Sequence, residues 1–215
     1  MKADVVILTL VFLCGLFVYA DGCSCMPQHP QVQFCNADFV ILARVKREKV
    51  LSDSKVYKVR VKKEYKVSEK GLLALKSGRL ISAADESMCG VKLQLGKLYV
   101  LSGRIHSLKA HINLCGMITE WESLTRRQRK GLKLLYRHGC SCDIKRCPLG
   151  RRCYRQRDSC NWRNDCEIKE GVCLRQSNKS CMWTRTKALT QCTREWRQNA
   201  TNSRGYRYNK SLFYH

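Results

Sequence analysis

The run Cys23-Ser24-Cys25-Met26-Pro27 places two cysteines around one serine, directly after a hydrophobic leader that ends at Gly22. If the leader is removed after Gly22, a half-cystine becomes the first residue of the mature chain. Its free α-amine then becomes a functional group. A cut after Ala20 also satisfies the rule of small residues at a cleavage site. The sequence therefore leaves two mature termini open, Cys-Ser-Cys and Asp-Gly-Cys.

Residues 1–22 have the features of an export signal. Lys2 gives a short positive end, and residues 5–20 supply 16 residues with almost no polarity. This run is shorter than the roughly 20 residues that a membrane-spanning helix needs. We therefore expect a cleaved signal peptide, no membrane span, and a protein secreted to the extracellular space or the extracellular matrix.

The chain contains 15 cysteines, one of which, Cys14, leaves with the leader. The even number that remains in an exported chain favours seven disulfides over reactive thiols. Metal binding is the competing interpretation for Cys23-Ser24-Cys25 and Cys140-Ser141-Cys142. The paired Cys-x-x-Cys spacing of zinc sites is absent, however. We therefore predict no metal or cofactor of the protein's own.

The distribution of the cysteines divides the chain. Six lie in residues 23–140, which are long enough to bury a core, whereas eight lie within residues 142–192. A module as small as the second buries little apolar area and depends on its cross-links. We therefore predict a signal peptide over residues 1–22, a first domain over residues 23–140 and a cysteine-rich C-terminal domain over residues 141–215.

The first domain has the patterning of a mainly β structure. Residues 39–45 form a short apolar run. Tyr57, Val59 and Val61 alternate with basic residues, which is the period of a half-buried strand. Residues 98–101 predict a further strand, which ends before Ser102-Gly103.

Residues 121–138 instead have the spacing of a helix, and residues 125–128 match a capping box. The apolar stripe of this helix consists of Leu124, Leu132, Leu135 and Tyr136. Short strands followed by a helix and tied by long-range cysteines predict a small closed five-stranded barrel of the oligonucleotide/oligosaccharide-binding type, with flanking helices. Periodicity alone leaves a β-sandwich open.

The formal charge of +24 attracts polyanions. An exported, disulfide-rich chain meets sulfated glycosaminoglycans and anionic matrix far more often than nucleic acid, so we expect no nucleic-acid partner. A solvated, solubilising surface explains the charge equally well. The candidate patches are residues 126–130 and the arginines Arg151, Arg152, Arg155 and Arg157.

Motifs of catalytic machinery are missing from the sequence. It contains no His-Glu-x-x-His, no Gly-x-Ser-x-Gly and no phosphate-binding glycine loop. The five histidines are scattered, which is typical of isolated structural or surface residues: His29, His106, His111, His138 and His215. We therefore expect a protein that is not an enzyme.

A set of motifs spread over the chain carries a family resemblance. The motifs are Cys23-Ser24-Cys25-Met26-Pro27-Gln28-His29-Pro30, Phe34-Cys35-Asn36-Ala37-Asp38, Val40-Ile41-Leu42-Ala43, Leu101-Ser102-Gly103-Arg104, His111-Ile112-Asn113-Leu114-Cys115, Trp121 with Gln128-Arg129-Lys130-Gly131, Gly139-Cys140-Ser141-Cys142, Cys147-Pro148 and Cys181-Met182-Trp183. They resemble the tissue inhibitors of metalloproteinases over nearly all of the mature chain. The resemblance implies a netrin-like barrel, then a small disulfide-stapled β-rich domain. It also implies inhibition of secreted zinc metalloproteinases of the matrix metalloproteinase type.

The resemblance places the chemistry at the mature N-terminus. A metalloproteinase holds zinc with three protein ligands and keeps one position for the attacking water. The α-amine and carbonyl oxygen of Cys23 can chelate the enzyme's zinc and expel that water. A free α-amine has a pKa of about 7.7 to 8.0, so metal competition at neutral pH can remove its proton. Ser24 then enters the main specificity pocket, which predicts broad inhibition.

The resemblance also implies how this terminus is held. The implied disulfides of the first domain are Cys23–Cys89, Cys25–Cys115 and Cys35–Cys140. The first two clamp the leading segment against a loop that forms a second contact ridge. A wedge held this way loses little freedom on docking, so more contact energy appears as affinity. The expected inhibitory contacts are Cys23, Ser24, Cys25, Met26, Pro27, Glu86, Ser87, Met88 and Cys89.

The second domain departs from the family pattern. The resemblance implies the pairs Cys142–Cys181, Cys147–Cys153 and Cys160–Cys173. Cys166 and Cys192 have no counterpart and form a seventh pair by elimination, so no binding of proenzymes through this domain is carried over. The short segment 49–54 in the first domain is expected to add little contact. Three glycosylation sequons lie in the second domain, at Asn178, Asn199 and Asn209.

Two functions from different classes remain open. A secreted metalloproteinase inhibitor requires a free amine on Cys23. A netrin-like module that binds matrix or sulfated glycans without inhibiting requires only the basic surface. Other netrin-like modules generally sit inside longer chains without a cysteine at the mature terminus, which favours the inhibitor. We expect a monomer.

Overall fold

The computed structural model describes residues 22–148, 152–154 and 156–211, so the predicted signal peptide lies outside the described residues except for Gly22. Among the described residues, no helix is both long enough and apolar enough to cross a membrane. In chain order the elements are helix α1 (Pro30–Asn36), strands β1 (Phe39–Val50) and β2 (Ser54–Val67), helix α2 (Glu69–Lys76), strands β3 (Arg79–Ala83), β4 (Leu98–His106), β5 (Lys109–His111) and β6 (Ile118–Glu120), helix α3 (Arg126–Lys130), strands β7 (Asp143–Arg146) and β8 (Ser159–Trp162), helix α4 (Asp165–Glu170), strands β9 (Cys173–Arg175) and β10 (Cys181–Trp183), and helix α5 (Lys187–Ser211).

Residues 39–120, all of them described, contain a closed barrel with one extra strand at its edge. The hydrogen-bonded order is β1-β2-β3-β5-β4-β6, and β4 also pairs with β1. Five strands therefore close on themselves, with β3 and β5 parallel and the other neighbours antiparallel. The predicted five-stranded barrel is confirmed, and the sandwich alternative is wrong.

The first part of strand β1, residues 39–45, is buried on both faces except at Arg44, which explains its apolar sequence, whereas residues 46–50 are exposed. Ile41 and Val45 face the barrel interior together with Tyr57 and Val59 of β2. The neighbouring Val40 belongs to a second core outside the barrel. The alternation predicted for β2 is confirmed, since its interposed lysines and arginines are exposed.

Strand β4 continues past Ser102-Gly103, where the sequence pattern predicts its end. A Cβ atom on Gly103 would overlap the carbonyl oxygen of His111 and lie 2.7 Å from the ring of Phe39. The glycine thus permits close approach of three strands where the barrel closes, rather than forming a turn. The prediction of a strand end at this position is wrong.

Residues 121–139 form short helical pieces on the outside of the barrel instead of one regular helix. A 3₁₀ turn precedes α3, and a π-helical turn over Gly131–Leu135 and another 3₁₀ turn follow it. The predicted capping box is present, because Thr125 and Gln128 exchange hydrogen bonds between side chain and backbone. The predicted stripe is confirmed as part of the second core.

The described residues contain fourteen cysteines, all joined in seven disulfides. The pairs are Cys23–Cys89, Cys25–Cys115, Cys35–Cys140, Cys142–Cys181, Cys147–Cys153, Cys160–Cys173 and Cys166–Cys192. These are the pairs that the family resemblance and the elimination argument imply.

The C-terminal region packs against the barrel rather than standing apart. Strands β7 and β8 pair in parallel, β9 and β10 pair antiparallel, and four buried half-cystines form a small core. Val172 packs in the second core with Phe34 and Tyr136. Helix α5 lies in a stretch for which the sequence predicts nothing, and Cys166–Cys192 joins it to α4. The domain boundary near residue 140 stays a sequence prediction.

Candidate inhibitory edge

The leading segment, residues 22–29, has no regular secondary structure and is held by two adjacent disulfides. Cys23 is joined to Cys89 and Cys25 to Cys115. The Sγ atoms of Cys23 and Cys25 are 3.7 Å apart, and those of Cys89 and Cys115 are 3.9 Å apart. Ser24 is exposed between the two bridges. The backbone on both sides of this serine is therefore covalently fixed.

The four sulfur atoms of these bridges lie within 4.8 Å of one another, a spacing that would suit a metal ion if they were thiolates. Each is oxidised in a disulfide, and the thiolate is the form of cysteine that ligates metals. The same argument applies to the cluster of Cys142, Cys173 and Cys181. We therefore interpret both clusters as disulfide cross-links and not as metal sites.

The predicted ridge residues lie in a tight loop beside the leading segment. Glu86–Met88 form a 3₁₀ turn, and all three residues are exposed. The N–H of Cys89 donates to the carbonyl of Glu86 at 3.0 Å. Cys89 has a φ of 60°, a left-handed conformation that non-glycine residues rarely adopt. The loop thus uses an uncommon backbone geometry at the residue that is bridged to Cys23.

A third segment, residues 113–115, completes the edge, and sequence reasoning did not assign it a contact role. The N–H of Leu114 donates to the carbonyl of Cys89 at 3.0 Å, which joins this segment to the ridge. The side-chain oxygen of Asn113 accepts from the N–H groups of Cys115 and Gly116 at 3.1 Å. The only sequence signal was the position of Leu114 beside a cysteine expected to pair with Cys25.

The three segments each expose a large apolar side chain. Met26 is 84% exposed, Met88 is 55% exposed and Leu114 is 42% exposed. Clustered exposed apolar residues with a polar surround are typical of protein-binding surfaces. We call residues 23–27, 86–89 and 113–115 the leading edge. All nine predicted contact residues lie in it, and the barrel and disulfides bring them together.

The leading segment is anchored at its base by His29, which is fully buried. Its Nδ1 accepts from the N–H of Gln31 at 3.1 Å and caps α1, while its Nε2 donates to the carbonyl of Glu167 at 2.9 Å. The ring also lies 5.2 Å from that of Trp183. Burial lowers the pKa of His29 to about 4, although the hydrogen bond to Glu167 opposes the shift. The neutral ring therefore ties the base of the leading edge to the C-terminal region.

This buried histidine makes stability depend on pH. Between pH 6.5 and about 4 the unfolded chain binds a proton at His29 that the folded chain does not, so the free energy of unfolding falls as pH falls. The contribution lost over this window is about 3 kcal/mol.

His29→Asn retains a capping side chain but removes the titration. We expect the variant to be less stable than wild type at pH 7, with a difference that shrinks by about 2 kcal/mol or more at pH 4.

Chemical denaturation of both proteins at several pH values measures this effect. The exposed residue His138 gives the matched control His138→Asn. Parallel stability curves for wild type and His29→Asn would contradict the assignment.

Comparison with known sequences shows to which family this chain belongs. A sequence profile described as tissue inhibitor of metalloproteinase matches residues 21–183. The chain belongs to this family. It is 33% identical over 203 residues to a Drosophila melanogaster protein named tissue inhibitor of metalloproteinase, an alignment that covers 86% of this chain and 94% of the relative.

Vertebrate members of the tissue inhibitor of metalloproteinase family match to a similar degree. Metalloproteinase inhibitor 3 of Xenopus laevis is 34% identical over 186 residues, covering 82% of this chain and 87% of its own. Metalloproteinase inhibitor 2 of Homo sapiens is 34% identical over 199 residues, covering 83% and 88%. As a member of this inhibitor family, the protein is not an enzyme. The profile match ends at residue 183, before helix α5 and Cys192.

Proposed function

We propose that this protein is secreted and inhibits zinc metalloproteinases by presenting the α-amine and carbonyl oxygen of Cys23 to the catalytic zinc of the enzyme. The observation that carries the proposal is the pair of contacting disulfides that fixes Cys23 and Cys25 within an exposed apolar edge. Gly22 is exposed, and an added Cβ would have no neighbour within 4 Å, so the residue before Cys23 makes no packing contact with the described fold.

Each residue of the leading segment has a distinct task in this mechanism. Cys23 supplies two donor atoms in a five-membered chelate, and its amine donates only when unprotonated. Ser24 presents a small hydroxyl to the specificity pocket. Met26, Met88 and Leu114 give apolar contact area on both sides. Because the segment is fixed before docking, little conformational entropy is lost on binding.

Two measurements test the proposal together. N-terminal sequencing of the secreted protein should read Cys23 first. The same preparation should abolish cleavage of a fluorogenic peptide by the catalytic domain of a matrix-type metalloproteinase, at an equimolar ratio. A mature chain that starts at Asp21, or a Cys23 terminus without inhibition, would refute the mechanism.

Replacing Ser24 should change selectivity without changing the fold. Its side chain is exposed and donates no hydrogen bond among the described contacts. We therefore expect Ser24→Gly to shift inhibition constants unequally across a panel of metalloproteinases, by about tenfold for some of them, because shape in a pocket is worth about 1–3 kcal/mol. The midpoint of thermal unfolding should stay within about 1–2 °C of wild type. Ser177→Gly, an exposed change in the C-terminal region, is the control, and an unchanged inhibition profile would remove Ser24 from the site.

A second function, binding of sulfated glycans, is favoured by the register of the barrel. Arg44 lies opposite Arg60, and Arg47 lies opposite Lys58, on the outer face of β1 and β2. Like charges directly opposite each other destabilise a sheet. Arg44 donates to the carbonyl of Gly96 and Lys58 donates to the carbonyl of Ser77. Arg47 and Arg60 have no hydrogen bond or ion pair among the described contacts, so a polyanion would neutralise these two charges. We call these four residues the basic strip.

Three arginines of the patches chosen from the sequence have partners within the fold. Arg127 donates to the hydroxyl of Thr184, and Arg129 donates to the carbonyl of Trp121 and lies 4.7 Å from its ring centroid. Arg157 donates to the carbonyl of Asn178. These side chains support the fold. Arg151 and Arg155 lie outside the described residues.

Removing charge from the strip should weaken retention on a heparin column. We expect Arg47→Gln with Arg60→Gln to elute at lower salt and to reduce the slope of log affinity against log salt by about 1 to 2, as counterion release predicts for two lost contacts. Lys70→Gln with Lys76→Gln removes two exposed charges from α2 and is the matched control. Equal losses in the two variants would show that only net charge matters.

A further inference from the structure

A polar cleft of about 260 Å³ opens directly beside the leading edge. Cys115 and Gly116 form one wall, and Gln28, which follows Pro27 of the leading segment, forms another. Gln33 fixes the first wall, because its side-chain amide donates to the carbonyls of Cys115 and Gly116 at 3.3 and 3.2 Å. The cleft therefore adjoins the leading edge, and Asn113 and Cys115 belong to both.

The far side of the cleft is basic. In the β4–β5 hairpin Arg104 lies opposite His111, and His106 lies opposite Lys109. Side chains at these alternate positions share one face of the hairpin. Arg104, His106 and His111 line the cleft, and no acidic residue is among its described lining residues. Asp38 lies next to the lining residue Ala37, and its carboxylate accepts the N–H of Ile105 at 2.8 Å.

The hydrogen-bond donors of this face are unused within the described contacts. The guanidinium of Arg104 and the ring nitrogens of His106 and His111 have no hydrogen bond or ion pair in the described part of the chain. Asn113 uses its side-chain oxygen for backbone N–H groups, which leaves its NH₂ group for a ligand. The Arg104 guanidinium and the Asn113 NH₂ group only donate, and each imidazole can turn an N–H toward the cleft, so this set fits an acceptor-only ligand such as a carboxylate.

The two histidines lie against each other on the basic side of the cleft. Their rings meet edge to face with centroids 5.5 Å apart. Burial lowers the pKa of His111, and the charges of His106 and Lys109 lower it further. A bound anion would relieve this repulsion, so the geometry and the charges favour the same ligand class.

We propose that the cleft is an anion subsite that receives a carboxylate from the docked metalloproteinase, an Asp or Glu side chain at the rim of its substrate cleft. This inference rests on the proposed function and extends it. We assign the ligand to the proteinase because Asn113 and Cys115 line the cleft and also belong to the leading edge. Arg104 supplies a bidentate, charge-assisted contact of the kind that carboxylates prefer. The cleft thereby favours targets with an acidic rim.

The first test uses the free protein and acetate as the carboxylate probe. Acetate titrated at constant ionic strength should shift the NMR signals of the Arg104 side-chain N–H, the Asn113 side-chain amide and the rings of His106 and His111, with saturation in the millimolar range. Arg104→Gln should weaken this binding at least about fivefold. Lys70→Gln, on α2, should leave it unchanged. Shifts that never saturate, or that persist in Arg104→Gln, would overturn the subsite.

The second test measures inhibition constants for a proteinase with an acidic rim and for the same enzyme with that rim residue changed to its amide. Arg104→Gln should raise the constant about five- to tenfold for the acidic enzyme and less than twofold for the amide variant. Lys70→Gln should change neither. Saturable acetate binding with inhibition unchanged in Arg104→Gln would overturn the docking role alone. Absence of inhibition by the wild-type protein would instead refute the proposed function, and the docking role with it.

Discussion

A variant that carries one additional alanine before Cys23 is expected to lose inhibition by about 1,000-fold or more, which corresponds to at least about 4 kcal/mol. The extension converts the amine of Cys23 into an amide, and an amide nitrogen has no lone pair available for zinc at neutral pH. It also places a residue where the zinc ligands of the enzyme leave no room. Inhibition constants for wild-type and extended proteins, measured side by side, give the result.

The additional alanine should change neither the fold nor its stability. Position 22 is exposed and its surroundings are open, so an alanine there disturbs no packing. The thermal midpoint and the disulfide content should match wild type. Removal of the added alanine by an aminopeptidase should restore inhibition in the same sample. An extended protein that inhibits normally would disprove chelation by the terminus.

The double variant Cys25→Ala with Cys115→Ala is expected to weaken inhibition by about 30-fold or more. The leading segment would keep its bridge at Cys23 but lose the one on the other side of Ser24. Two or three residues would then have to become ordered on docking, at about 1–2 kcal/mol each. Inhibition constants and chemical denaturation of the same preparation separate this effect from global unfolding.

Stability should fall by about 2–4 kcal/mol in this double variant. The removed bridge spans 90 residues, for which chain entropy alone gives about 4 to 5 kcal/mol. Cys23–Cys89 and Cys35–Cys140 still close overlapping loops, which reduces the loss. Cys147→Ala with Cys153→Ala removes a bridge that spans 6 residues in the C-terminal region and should leave inhibition unchanged. If the Cys25 and Cys115 variant loses stability but inhibits fully, the clamp supports the fold only.

The barrel could be predicted from sequence where burial follows a simple period. Tyr57 and Val59 alternate with exposed cations because β2 has one buried face, and the apolar stripe of residues 124–136 covers the outside of the barrel. The end of β4 was predicted wrongly at Gly103. A glycine that permits close approach of strands looks the same in the sequence as a glycine in a turn. The distinction depends on Phe39 and His111, which are distant in sequence.

The candidate site was predictable only in part for the same reason. The residues near Cys23 stood out by their chemistry, and the ridge of residues 86–89 came from the family resemblance. Leu114 has an ordinary sequence context, and its role depends on one backbone hydrogen bond to Cys89 and on its exposure. The anion cleft requires the register between Arg104 and His111, which no local pattern contains.

The leading edge is assembled from three segments that are about 60 and 25 residues apart along the chain, and only barrel closure and disulfide formation bring them together. No short synthetic peptide copied from residues 23–30 contains the ridge or Leu114, so such a peptide offers the proposed zinc ligands without their support. Any inhibitory assay of this protein is therefore also an assay of its oxidative folding. A preparation with wrongly paired disulfides would contain the full sequence but would not form the leading edge.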